Sequence, residues 1–268
     1  MRGFGEMAER LRRSTVQVLP GGSRGGGGSG VVWSSDGLIV TNAHVARAPA
    51  AAVVLWDGRR VEGRVTVRDP RRDLAALRIP AAGLEPATPG DSNAVRPGEL
   101  VMAVGSPLGF AGALSTGVVH SVGALAGMGR QNWIRADVQL APGNSGGPLA
   151  DAQGRVIGIN TAIVNGLGVA VPSNAAVEFV RRGADHPRPS LGVTLRPVQL
   201  GLLVLEVDPA GAAARASLRP GDVLLGSLDD LWDELDSGRE VVRLRFLRDG
   251  RMRVREAFVR LEGRAEAA

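Results

Sequence analysis

Cysteine, tyrosine and lysine are all absent from this 268-residue chain. Without cysteine there is no disulfide, no thiolate metal site and no cysteine nucleophile, and no redox compartment can be read from the sequence. Without lysine, all 32 basic residues are arginine, so the net charge of +5 reflects a bias of the whole chain rather than a binding patch. Aromatic residues make up only 3%, which removes most platforms on which single-stranded bases could stack. A nucleic-acid partner is therefore not expected. No apolar run approaches the ~18 residues that a membrane helix needs, so no membrane span is expected either. The opening MRGFGEMAERLRR scatters charge and has no apolar stretch, which is not how a signal peptide reads; taken as it stands, the chain is expected in the cytoplasm.

From Thr15 to about Ala170 the chain consists of short apolar runs such as STVQVL, GLIVTN, AAVVLW, ELVMAVG and GRVIGINTAI, separated by turn signals such as SSDG and WDG. Many short strands at close spacing predict an all-β barrel or sandwich. Phe4, Met7, Ala8 and Leu11 recur at helical spacing and predict a short amphipathic helix, suited to covering part of a core. SNAAVEFVRR reads as a second helix, with Ser173 as its N-cap. GADHPRPS, residues 183–190, reads as a linker. Beyond it lie two strands, a turn with a short helix, a further strand, and an amphipathic helix marked by Leu228, Leu231, Trp232 and Leu235 that ends near Gly238. A hairpin across Asp249-Gly250 closes this small α+β module. The glycine-rich GGSRGGGGSG at 21–30 lacks the Lys-Ser/Thr ending and the following helix of a phosphate loop, and reads as a hairpin loop.

APGNSGGPL, residues 141–149, sets one serine among residues with almost no side chain. Such surroundings let a hydroxyl be approached closely while bare backbone amides point at the same spot, as nucleophilic catalysis needs. A base and an orienting acid must then come from elsewhere. Of the three histidines, His186 lies in the linker and His120 in an alternating strand, while His44 stands at the strand-to-turn junction of TNAHVA. Among acids, Asp57 sits in a turn, Asp69 precedes a proline, and Asp73 opens the apolar strand DLAALRI. His44, Asp73 and Ser145, 29 and 72 residues apart, follow the chain order of chymotrypsin-type barrels. GNSGG also fits the hydrolase elbow G-x-S-x-G, with Asp185 and His186 downstream. That motif requires a helix directly after the serine, however, and here Pro148, a turn and a strand follow.

GSGVVWSSDGLIVTNAHVA, RRDLAALRI, GSPLGFAGALSTGVV, VQLAPGNSGGPL, GRVIGINTAIV and GVAVPSN together resemble the HtrA (DegP/DegQ/DegS-like) family of serine proteases. SLGVTL and VDPAGAAARASLRPGDVLL resemble the C-terminal PDZ domain of that family, and the whole resemblance covers about residues 12–262. It implies an all-β trypsin-like double β-barrel followed by a small α+β PDZ domain. The corresponding divisions are an N-terminal helical segment at 1–14, the protease domain at 15–182, the linker at 183–190 and an abbreviated PDZ domain at 191–262. The implied activity is ATP-independent serine endopeptidase action on unfolded or damaged proteins, with a chaperone-like holdase or PDZ adaptor as the alternative.

The family triad carries over onto His44, Asp73 and Ser145, with Gly143, Asn144 and Ser145 framing an oxyanion hole. Leu140, Thr161, Ala162 and Ile163 are expected to line the substrate site, which favours small or medium aliphatic residues. Asn144 replaces the aspartate that pairs with a freed N-terminus in many digestive relatives, which predicts activity without clipping. Leu191, Gly192 and Val193 match the loop that takes a peptide carboxylate, although the connection between LLGS and LDDLWDEL is shorter than usual. The resemblance further implies a trimer and a place in the cell envelope or periplasm. No cofactor or metal is expected.

Overall fold

The computed structural model describes residues 3–20, 27–106, 112–125, 128, 131–183, 191–236, 239–248 and 251–261. The chain divides into two units, Met1–Ala184 and Asp185–Ala268. In the first, helix α1 (Phe4–Arg13) leads into six strands: β1 (Thr15–Pro20), β2 (Gly28–Val32), β3 (Leu38–Thr41), β4 (Ala50–Val54), β5 (Arg60–Asp69) and β6 (Leu74–Arg78). They close into an antiparallel barrel in the order β1-β2-β3-β6-β5-β4. Six more strands follow: β7 (Leu100–Gly105), β8 (Ala113–Ala124), β9 (Asn132–Ala136), β10 (Pro148–Asp151), β11 (Val156–Val164) and β12 (Leu167–Pro172). These close a second barrel in the order β10-β11-β12-β9-β8-β7.

β4 and β8 alternate because each barrel has a filled inside and an outside, whereas β2, β6, β7 and β10 are buried along nearly their whole length. Val18, Ile39, Val53 and Leu77 fill the first barrel, and Val101, Ile134, Leu149 and Ile157 the second. A third cluster joins residues of both barrels, including Val31, Val40, Leu74, Met102, Val104 and Ile159, to Leu11 of α1 and Phe179 of the helix after β12. Burying each such side chain contributes about 1.5–3 kcal/mol. β2 is buried along its whole length, GSGVV, which is why two of its five residues are glycine. As expected, Ala8 and Leu11 turn α1 onto the core, while Phe4 stays 40% exposed.

The helix after β12, α2 (Ser173–Arg182), begins where the sequence predicts, but Ser173 is not its cap. The cap position is Pro172, and the Ser173 hydroxyl donates to the Gly90 carbonyl at 2.7 Å. The first-turn amide of Asn174 donates instead to Ser92 Oγ at 3.1 Å, from a loop 82 residues earlier. A distant loop thus supplies the acceptor that local sequence assigns to Ser173. The hairpin loop expected at 21–30 is shorter than that: Gly28–Gly30 already belong to β2, which pairs antiparallel with β1, and residues 21–26 lie outside the described residues.

The second unit holds β13 (Val193–Val198), β14 (Gly201–Val207), α3 (Ala212–Arg215), β15 (Val223–Leu225), α4 (Leu228–Asp236), β16 (Val241–Arg248) and β17 (Arg251–Arg260). Its strands form one antiparallel sheet in chain order. Ser227 Oγ accepts from the Asp230 amide, and Asp230 Oδ2 accepts from the Ser227 amide, a reciprocal cap that starts α4. Leu231 and Leu235 enter the core while Leu228, at the exposed first turn, does not. Arg248 pairs with Arg251 across the expected hairpin, whose tip at 249–250 lies outside the described residues, as do 237–238, where α4 was expected to end.

Candidate active site

The turn after β3 carries His44. The Val45 and Ala46 amides donate to the Asn42 carbonyl, and arginines hold the outward carbonyls: Arg47 Nε donates to His44 O and Arg68 Nη2 to Ala43 O, both at 2.9 Å. Asp73 stands just before β6 with φ +53°, a left-handed backbone that aspartate tolerates better than most residues. That conformation is fastened from the other turn, where Asn42 Nδ2 donates to the Asp73 carbonyl at 2.8 Å. The carboxylate then faces the imidazole. His44 Nδ1 lies 2.7 Å from Asp73 Oδ2, and the His44 amide donates to Oδ1 at 3.0 Å. An imidazole held this way donates from Nδ1 and leaves Nε2 free to accept a proton.

Ser145 lies between β9 and β10 on the second barrel. Its loop is pinned at both sides: the Gly146 amide donates to Asn160 O, and the Asn160 amide donates to Gly147 O, each at 2.8 Å. Gly146 is required here twice over. Its φ is +87°, and a Cβ would stand 2.1 Å from Ser29 O and 2.2 Å from Thr41 Oγ1. Asn144 is committed to the turn, its amide donating to Ala141 O and its Oδ1 accepting from the Ala141 amide. The amides of Gly143 and Ser145 have no hydrogen-bond acceptor among the described residues. Two uncommitted N–H groups therefore flank the hydroxyl, the arrangement that can stabilise charge developing on a carbonyl oxygen.

Thr161 joins the two halves. Its hydroxyl donates to Asp73 Oδ2, and its carbonyl accepts from Ser145 Oγ at 3.0 Å. Imidazole, carboxylate, threonine and serine thus form one continuous chain of contacts across both barrels. From sequence, Thr161 is expected only in the substrate wall, with no contact to Asp73. Between Asn160 and Ala162 the pairing of β11 with β12 slips by one residue. A bulge re-aims a side chain in just this way. The only advance signal was a polar Asn-Thr pair inside the apolar run VIGINTAIV.

Of the other expected wall residues, Leu140 packs half-buried beside Val138 and over Gly168, Ala162 is partly buried, and Ile163 is 52% exposed. In the second unit, Leu191 is buried, Gly192 takes φ +70°, and Val193 opens β13. The Leu191 and Gly192 carbonyls accept from the amides of Ala213 and Asp208. His120 sits exposed on β8, 3.0 Å from Ser121 Oγ, and Asp57 binds the Arg59 side chain, while His186 and Asp185 lie outside the described residues. Asp69 is buried, accepting from the Arg71 and Arg72 amides. Among the described residues no group of three or more His, Asp or Glu side chains is placed to hold a metal ion.

The trypsin-like peptidase domain matches residues 28–159. A Synechocystis sp. protein named as the serine protease HhoB is 36% identical over 232 residues, covering 75% of this chain and 56% of its own. A DegP-like periplasmic serine endoprotease of Halomonas elongata is 34% identical over 259 residues, covering 84% of this chain and 54% of its own. The chain thus spans about half the length of the curated relatives it matches. Among solved structures, the HtrA-type protease AlgW with a decapeptide superposes with a TM-score of 0.72 at 26% identity, covering 99% of this chain and 100% of that one. The serine endoprotease from Yersinia pestis gives 0.73 at 26% identity, covering 99% of each chain.

Proposed function

The chain belongs to the HtrA family of trypsin-like serine proteases, and from that premise we propose that it is an ATP-independent endopeptidase of unfolded or damaged proteins. The observation that carries the reading is the contact chain from His44 through Asp73 and Thr161 to Ser145. In this mechanism Ser145 Oγ turns from the Thr161 carbonyl to attack a peptide carbonyl, and His44 Nε2 takes its proton. Asp73 fixes the imidazole tautomer and stabilises the imidazolium. The Gly143 and Ser145 amides receive the oxyanion, while Asn144 keeps their turn in shape. The C–N bond then breaks as His44 returns the proton to the leaving amine, and water, giving its proton to His44 in turn, hydrolyses the acyl-enzyme and frees Ser145.

Leu140, Thr161, Ala162 and Ile163 form the substrate side of the site, which fits small or medium aliphatic residues because neither Leu140 nor Gln139 carries charge. The HtrA-type neighbours solved with a decapeptide and a tripeptide support peptide-shaped substrates. The second unit is read as an abbreviated PDZ domain, with Leu191, Gly192 and Val193 addressing a C-terminal carboxylate. A trimeric assembly and a periplasmic place complete the proposal, the latter supported by the naming of the DegP-like relatives.

A fluorophosphonate probe tests the core of this reading. It should label the wild-type chain and not Ser145→Ala, and labelling should abolish hydrolysis of fluorescein-labelled casein. Failure to label the folded wild-type chain would sink the proposal.

A further inference from the structure

The turn around Asn144 is closed by its bonds with Ala141 and by the Gly147 amide donating to Asn144 O, which leaves the Gly143 carbonyl to be held from elsewhere. Gly143 and Gly146 both take positive φ, at +107° and +87°, and glycine imposes almost no barrier to rotation of its peptide planes. The neutral Asn144 can make no ion pair that would lock the loop from outside. Yet the two amides that flank Ser145 must stay aimed at one point for an oxyanion to be stabilised.

One residue of the opposite barrel touches this loop on both sides of Asn144. Ser29 of β2 is fully buried. Its hydroxyl donates to the Gly143 carbonyl at 2.6 Å, and its amide donates to the Ser145 carbonyl at 2.7 Å. The direction of the first bond is fixed by chemistry. Ser29 Oγ also sits 2.8 Å from the Ser106 amide, which can only donate. The single hydroxyl proton must therefore go to Gly143 O. Ser29 is itself held, its carbonyl accepting from Thr41 Oγ1 at 2.6 Å.

We propose that Ser29 is a positioning residue for the oxyanion hole, its hydroxyl fixing the Gly143–Asn144 peptide plane, which lies between the planes that carry the Gly143 and Ser145 amides, so that both amides stay aimed at one point. The inference rests on the reading of Ser145 as the nucleophile. Ser29 touches no substrate and acts only through the loop. Neutral hydrogen bonds from the first barrel, present without any cleavage of the chain, thus do the work of an external lock.

Two variants test it. Ser29→Ala removes the hydroxyl. Gly105→Ala keeps it but presses between Ser29 and the loop, because a Cβ there would lie 2.9 Å from Asn144 Cα and Nδ2 and 3.0 Å from Ser29 Oγ, and Gly105 does not take positive φ. Active sites are counted by complete fluorophosphonate titration, and kcat and KM for fluorescein-labelled casein are expressed per titrated site. Both variants should lose kcat by roughly 10- to 100-fold, short of the roughly 100- to 1,000-fold that deleting an oxyanion donor outright costs. KM should hold within about two-fold, because uniform binding is untouched. A merely structural role would lower the number of titratable sites and leave kcat per site unchanged, and that result overturns the inference. Should Ser29→Ala not fold, an unaltered kcat per site in Gly105→Ala overturns it alone. A wild-type chain that neither labels nor hydrolyses casein defeats the protease reading itself, which separates that failure from this one.

Discussion

Replacing Gly146 by alanine should damage both the fold and the site, by an amount that a second glycine can calibrate. Gly58 takes a nearly identical φ, +85° against +87°, in the turn between β4 and β5, and a Cβ there would meet nothing within 4 Å. Gly58→Ala therefore reports the left-handed backbone alone, about 1–2 kcal/mol. Gly146→Ala adds contacts of 2.1 and 2.2 Å to Ser29 O and Thr41 Oγ1, an overpacking worth about 1–3 kcal/mol. At roughly 2–4 °C per kcal/mol for a unit of this size, Gly146→Ala should lower Tm by about 4–20 °C, and by several degrees more than Gly58→Ala. The clash lies on backbone, so β2 or the serine loop must yield by roughly an ångström, a displacement able to cost about 100-fold in kcat. Differential scanning calorimetry and casein hydrolysis read both effects. Equal Tm values for the two variants, or wild-type kcat in Gly146→Ala, would refute the argument that β2 presses against the serine loop.

Thr161→Val keeps the shape of the side chain but withdraws a hydrogen bond from the Asp73 carboxylate; kcat should fall by at least roughly 10-fold with KM little changed, as the loss of one bond to a charged group implies. Steady-state kinetics checks this, and an unchanged kcat would reduce Thr161 to a wall residue. In the second unit, Asp222 is buried and takes both Nε and Nη2 of Arg248 at 2.7 Å. Asp222→Ala removes the buried carboxylate partner of Arg248, which keeps its bond to Ser217 O, and should destabilise that unit by about 3 kcal/mol, visible as an early calorimetric transition. Asp91 accepts from Asn174 Nδ2 at 2.8 Å and from the Asn93 amide at 3.0 Å, the first of which is the larger cause of its lowered pKa. A carboxylate with a depressed folded pKa adds stability above its unfolded value and loses it as the pH falls through the folded one. Asn174→Ala should therefore be less stable than wild type at neutral pH, and the gap should narrow in acid to what the lost bond from the Ser92 amide to Asn174 Oδ1 leaves. A gap of constant size across an acid titration would show that Asp91 is not its source.

Composition and period alone determined much of this protein. Short alternating runs cannot bury their apolar face as isolated strands, so barrels followed, and the resemblance narrowed them to two closed barrels. The α2 range was legible because its pattern is local, and so was the strand pair flanking Asp249-Gly250. The sequence also named His44, Asp73 and Ser145 as candidates, because few residue types can do that chemistry and this chain holds only three histidines. What it could not contain was any contact made by slipped register or by a second barrel. Thr161 reaches Asp73 through a bulge in β11. Ser92 takes over the acceptor role assigned to Ser173, and Ser29 reaches Gly143 over 114 residues. Period and propensity describe a chain's relation to its nearest neighbours. Hydrogen bonds between elements far apart in the sequence exist only once both barrels have closed, and their geometry belongs to the folded molecule.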